Sequence, residues 1–106
     1  MSVESMTSEV SERDRKAATE AMVVVRHAPG MYVVYSGATS VYTVDAVGPA
    51  CECEDFRFRH AETDSRCKHI RRCEMTAGVR PIPDGVDPDP VLIRQRDNWM
   101  ENHDGN

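Results

Sequence analysis

The chain has 106 residues, with 18 Asp and Glu against 13 Lys and Arg, for a net charge of −5. That length holds one domain at most, and the acidic balance argues against simple non-specific nucleic-acid binding. No apolar run is long enough to cross a membrane, and Met1-Ser-Val-Glu-Ser-Met lacks the basic start and apolar stretch of a signal peptide, so a cytoplasmic protein is expected.

Ser8 to Met22 reads as a helix, with Ser8 or Ser11 as its cap and Glu12 four residues before Lys16. Its apolar face (Ala17, Ala18, Ala21, Met22) is thin and needs something to pack on. Met22 to Arg26 continues as a β-branched extended run, and His27-Ala-Pro-Gly30 is a turn. Met31–Ser36 and Val41–Ala46 are strand candidates joined by the short loop Gly37–Ser40, which predicts an antiparallel hairpin. The tyrosines are expected to pack on that hairpin rather than to stack on bases.

Cys51-Glu-Cys53 follows the hairpin and Cys67-Lys-His69 comes 13 residues later, giving the pattern C-x-C-x13-C-x-H. Residues two apart on extended backbone point to the same side, so each pair can aim both donors at one ion. Three sulfurs and one imidazole make a tetrahedral zinc set. A disulfide framework is the rival reading. It strains a Cys51–Cys53 bridge, leaves His69 without a role, and expects a secreted chain. Cys73 stands four after His69 and His60 lies in the intervening loop. Either could substitute as a ligand, although a small core residue and a solvated loop residue are the plainer readings.

Phe56 is expected in the core, while Phe58 is open. Phe56-Arg57-Phe58-Arg59 alternates aromatic and basic residues as a nucleic-acid groove could. A helix is predicted from Cys67 to Ala77, ended by Gly78. Pro81 to Pro90 reads as an extended linker, and Val91 to Met100 as a short amphipathic segment whose lone Trp99 docks back on the sheet or anchors a partner.

Cys51-Glu52-Cys53-Glu54-Asp55-Phe56 with Cys67-Lys68-His69-Ile70 resembles the SWIM zinc finger, over about residues 30 to 80. Glu54 stands where that family often has proline. The resemblance implies an α+β fold: a zinc-stabilised ββα module, here with an N-terminal helix and an extended C-terminal tail. The corresponding division is residues 1–21, 22–80 and 81–106. It also implies DNA binding or protein interaction, in some members with recombinase-like partners.

Residues 51–80 carry seven bases and six acids, whereas residues 1–20 carry five acids and three bases and residues 81–106 six acids and two bases. Candidate nucleic-acid contacts are therefore Arg57, Arg59, Arg66, Lys68, Arg71 and Arg72, several of them near a helix N-terminus that favours phosphate. The acidic ends oppose a duplex, and a protein-interaction adapter is the alternative. Only two of the 13 bases are Lys, a usage similar to that of halophilic archaea, though an ordinary acidic surface explains the charge as well. Four protein ligands would close the zinc site, and no nucleophile motif or phosphate loop is present, so no enzyme is expected.

Overall fold

A computed structural model describes residues 11–59 and 66–104. Ser8 and His60 lie outside the described residues, as does the side chain of Arg59. Helix α1 (Glu12–Thr19) starts at Ser11, whose hydroxyl accepts from the Asp14 amide at 3.0 Å. It stops three residues before the expected Met22. Met22 instead opens strand β1 (Met22–Ala28), where the valine run is better satisfied by pairing than by helix.

The turn at Pro29-Gly30 (Gly30 φ +77°) returns the chain into β2 (Met31–Ser36), and β3 (Ser40–Asp45) follows across the predicted short loop. Glycine at position 30 is required twice, since a Cβ there would also lie 2.7 Å from Val47 Cγ2. The two-residue β4 (Ala50–Cys51) pairs with the end of β3. The expected hairpin is thus the centre of a four-stranded antiparallel sheet, ordered β1-β2-β3-β4.

Period-2 alternation divides the sheet. Met22, Val24, Tyr32, Val34 and Val44 are buried on the inner face, and Val23, Val25, Tyr35 and Val41 are exposed on the outer one. The helices sit on the inner side. Helix α2 (Glu54–Arg59) leads away from β4, and α3 (Lys68–Thr76) lies over the sheet with Ile70 and Cys73 fully buried. Burying one such aliphatic side chain contributes about 1.5–3 kcal/mol. Gly78, at φ +80°, ends α3 as predicted; its amide bonds Met75 O, and the Ala77 amide bonds Cys73 O.

Residues 81–89 form the expected non-helical linker, but the tail beyond it is not extended. Helix α4 (Pro90–Asp104) runs 15 residues. Asp89 caps it through Val91 N–H (3.2 Å), and Pro90 takes the first position, where no amide is needed. Trp99 docks back on the sheet, 5.9 Å from the Tyr32 ring, with the Arg26 guanidinium 5.6 Å from its centroid.

A second small core joins Ala17, Ala18, Met75 and Leu92 between α1, α3 and α4. Beside it Arg72, fully buried, ties four segments together. Its guanidinium donates to Ala17 O (3.0 Å), Glu20 O (2.7 Å), Met22 O (2.8 Å) and the Asp89 carboxylate. These acceptors are the last carbonyls of α1, the first carbonyl of β1 and the cap of α4. A cation there complements the negative end of α1. Among the described residues, the Arg72 Nε and the Thr76 hydroxyl are buried without hydrogen-bond partners.

Candidate metal centre

Three short elements deliver the four donors. β4 ends at Cys51, the following bend carries Cys53, and Cys67 is the N-cap residue of α3, with His69 in its first turn. Cys67 makes no side-chain capping bond, which leaves its sulfur free to face the other donors. All four residues are buried, and their ligand atoms lie within 4.8 Å of one another. This buried Cys3His group could hold a metal ion.

The distances fit a tetrahedral ion. With a metal–sulfur bond of about 2.3 Å and a metal–nitrogen bond of about 2.0–2.1 Å, a tetrahedral S···N edge is roughly 3.5–3.6 Å. His69 Nδ1 lies 3.7 Å from Cys51 Sγ and 3.8 Å from Cys67 Sγ. The Tyr42 ring packs on the imidazole, centroid to centroid 4.4 Å, and so fixes its plane.

The sulfurs perturb one another's titration. Contact with Cys53 and Cys67, then burial, pushes the Cys51 thiol up. Cys53 is held down, because Cys51 and Cys67 donate to its thiolate. The Cys51 contact pulls Cys67 down, but Cys53 and burial outweigh it and push Cys67 up to about 11. Three buried sulfurs this close cannot all be anions unless a cation sits among them. Cys73 stands apart from the four: it is fully buried in the main core, and burial pushes its thiol up. It behaves as a small apolar residue.

The candidate nucleic-acid contacts are not brought to one free surface. Arg72 is 0 % exposed and Arg71 5 %, so neither side chain is open to a phosphate. This corrects the expectation for both, for the same reason: each guanidinium satisfies buried or half-buried acceptors within the fold. Arg71 donates to Arg66 O and to Asp14 (3.0 Å). Arg66 pairs with Glu74 (3.0 Å) and Lys68 with Glu20 (2.6 Å). Arg80 joins Glu74 (2.7 Å) to Asp14 (3.1 Å), so one alternating chain of charge runs Arg66–Glu74–Arg80–Asp14–Arg71. Arg57 is exposed on α2.

Phe56 packs against the main core as expected, and Phe58 is 83 % exposed. Spacing alone missed Arg72 and Asp89; the Asp-Pro pair at residues 89–90 is the one local signal that marks the start of α4.

No helix among the described residues is long and apolar enough to cross a membrane. No family model, curated protein or solved structure matches the chain.

Proposed function

We propose that the protein is a non-enzymatic module in which Cys51, Cys53, Cys67 and His69 hold one structural zinc ion, and that it acts as a protein-interaction adapter. Thiolate-rich donor sets favour zinc among the common hard and borderline cations, and four protein donors leave no position for a catalytic water. The likeness of the C-x-C and C-x-H pairs to the SWIM pattern supports the zinc reading.

The adapter reading rests on one observation: five of the seven bases in residues 51–80 are neutralised from within the fold. Asp14 and Glu20 of the N-terminal segment, Glu74 of α3 and Asp89 before α4 take up Arg71, Arg80, Lys68, Arg66 and Arg72. A duplex would have to displace those carboxylates while approaching a chain of net charge −5.

Titration of fluorescent duplex and single-stranded DNA at low salt tests this. No saturable binding is expected below about 100 μM, weaker than typical non-specific DNA binding. Saturable binding lost on Arg57→Ala would replace the adapter by a nucleic-acid module. Cross-linking in the native host with and without nuclease is expected to leave protein adducts unchanged.

A further inference from the structure

The β1 edge of the sheet is closed only in part. The Gly37 amide bonds Ala21 O, so odd-numbered residues of β1 bond toward β2 and even-numbered ones turn their backbone groups outward. Side chains meet the first two outward residues. Asp89 and Arg72 serve Met22, and the Gln95 carboxamide serves Val24. Arg26 is the next outward residue, about 6.6 Å further along the strand. Among the described residues, nothing bonds its outward amide or carbonyl.

A cleft of about 300 Å³ opens at that point. β1 lines one side from Val24 to Arg26, Asn98 and Trp99 of α4 line the other, and Thr76 reaches it from α3. That volume is at the low end for ligand sites and takes one side chain or a short piece of chain.

The chemistry of an occupant is restricted. The described residues that line the cleft include no Cys, His, Asp or Glu, so it does not suit a metal ion. Arg26 is the one charged residue among them, and its guanidinium already lies over the Trp99 ring. A single engaged cation is a poor match for phosphate, which is met by clusters of Arg. What remains are neutral donors and acceptors side by side: the Arg26 amide and carbonyl, the Asn98 carboxamide, and the buried Thr76 hydroxyl. Gln95 shows which group fits such a set. Its carboxamide gives Val24 one acceptor (2.9 Å) and one donor (2.7 Å), the same two that a residue of an added strand would give.

We propose that the open end of β1 at Arg26 pairs with a short extended segment of a partner protein, one side chain of which enters the cleft beside Trp99. This rests on the adapter reading and names where and how the partner is held. Two main-chain bonds and one small cleft bury far less than a standard interface, so the dissociation constant of an isolated peptide is above about 10 μM.

A phage-displayed library of random heptapeptides, panned on the full zinc-loaded chain, supplies the probe. The strongest binder is synthesised and titrated into isotope-labelled protein. The Arg26 amide, the Asn98 side-chain amide and the Trp99 indole are expected to shift, and exchange at the Arg26 amide, faster than at Val24 in the free chain, is expected to slow. Arg26→Ala keeps the backbone donor and is expected to keep most of the binding. Arg26→Pro removes that donor at an outward edge position, where proline is tolerated, and is expected to weaken binding about tenfold or more. N-methylation of the peptide at the position facing Arg26 is expected to do the same to the parent protein, which keeps the test valid if the proline variant does not fold. The proposal is overturned if no peptide is selected, or if binding survives both Arg26→Pro and methylation at every position. An Arg26 amide as protected as Val24 in the free chain also overturns it, whether residues 1–10 or a second copy covers the edge. A peptide whose shifts centre on Phe58 and α2 removes this site and leaves the adapter reading standing. Saturable DNA binding would remove the adapter reading without moving a peptide mapped to Arg26.

Discussion

Gln95 acts as a surrogate strand for Val24. Its Nε2 donates to Val24 O at 2.7 Å, and its Oε1 accepts from the Val24 amide at 2.9 Å. β1 is an edge strand, and its outward backbone groups would otherwise pair with another chain. Side chains close the same edge at Met22, where Asp89 accepts from the amide (3.3 Å) and Arg72 donates to the carbonyl (2.8 Å).

Gln95→Ala is therefore expected to lower stability by about 1–3 kcal/mol, the cost of leaving a partly buried amide and carbonyl without partners. Hydrogen exchange at Val24 should accelerate more than at Val34, which lies in a central strand. Equal protection at Val24 in parent and variant would show that Gln95 does not close the edge.

Arg72 is expected to be the most sensitive of the basic residues. Arg72→Ala leaves Asp89 and three carbonyls without their donor, and breaking a buried ion pair in this way costs about 3–5 kcal/mol. Arg57→Ala, at an exposed position on α2, should cost clearly less than Arg72→Ala. Chemical denaturation of the two variants side by side measures the contrast. Near-equal losses would remove Arg72 from its place at the junction.

The Arg72–Asp89 pair also predicts a pH dependence. Burial alone would raise Asp89, but the Arg72 bond and the Val91 and Met22 amides outweigh it and hold the carboxyl below 3.8. Burial meanwhile pulls Arg72 below its ordinary value, yet a guanidinium stays charged at any ordinary pH, so the carboxylate governs the titration. A depressed folded pKa means that the unfolded chain takes up the proton first as pH falls. Asp89 thus contributes stability above about pH 4, and loses it as pH drops through the folded value. At saturating zinc, the stability difference between the parent and Asp89→Asn should be flat from pH 7 to about 5 and shrink below about 4. A difference that grows on acidification would contradict this sign.

Local chemistry was readable in the sequence, and long-range pairing was not. Cys51, Cys53, Cys67 and His69 announced themselves because ligand type and short spacing are properties of adjacent residues. The β2–β3 hairpin, Ser11 and Gly78 were legible for the same reason: each is settled within a few residues. β1 is legible only as an extended run, since nothing near Met22 says that it pairs with Ser36 and not with solvent. Arg71 and Arg72 look like surface cations in the sequence because an Arg-Arg pair in a short helix carries no sign of the acids that meet it. Those acids lie 57 residues away at Asp14 and 17 away at Asp89. The uneven charge along the chain was the visible trace of that pairing, and it reads equally well as a phosphate-binding patch.

The metal carries the last prediction. The Cys3His group sits inside the main core, where Cys51, Cys53 and Cys67 pack with Val34, Val44 and Ile70. Metal binding there is folding free energy, and structural zinc sites in small modules supply apparent values of about 10–16 kcal/mol, comparable to the whole net stability of about 5–15 kcal/mol of a domain this size. Chelation, or Cys53→Ser, should abolish the cooperative thermal transition and the near-ultraviolet signal of Tyr42 and Trp99. Native mass spectrometry should find one zinc per chain before treatment and none after. Cys73→Ser separates a ligand from a core thiol. It should keep one zinc and lose about 1–3 kcal/mol, because it places a hydroxyl in an apolar site. In the folded zinc form Cys73 should also resist alkylation, since burial holds it as a neutral thiol. Zinc lost from Cys73→Ser but retained by Cys53→Ser would reassign the ligand set. A metal-free chain with an unchanged melting transition would mean that the core around Ile70 and Val34 folds without the ion.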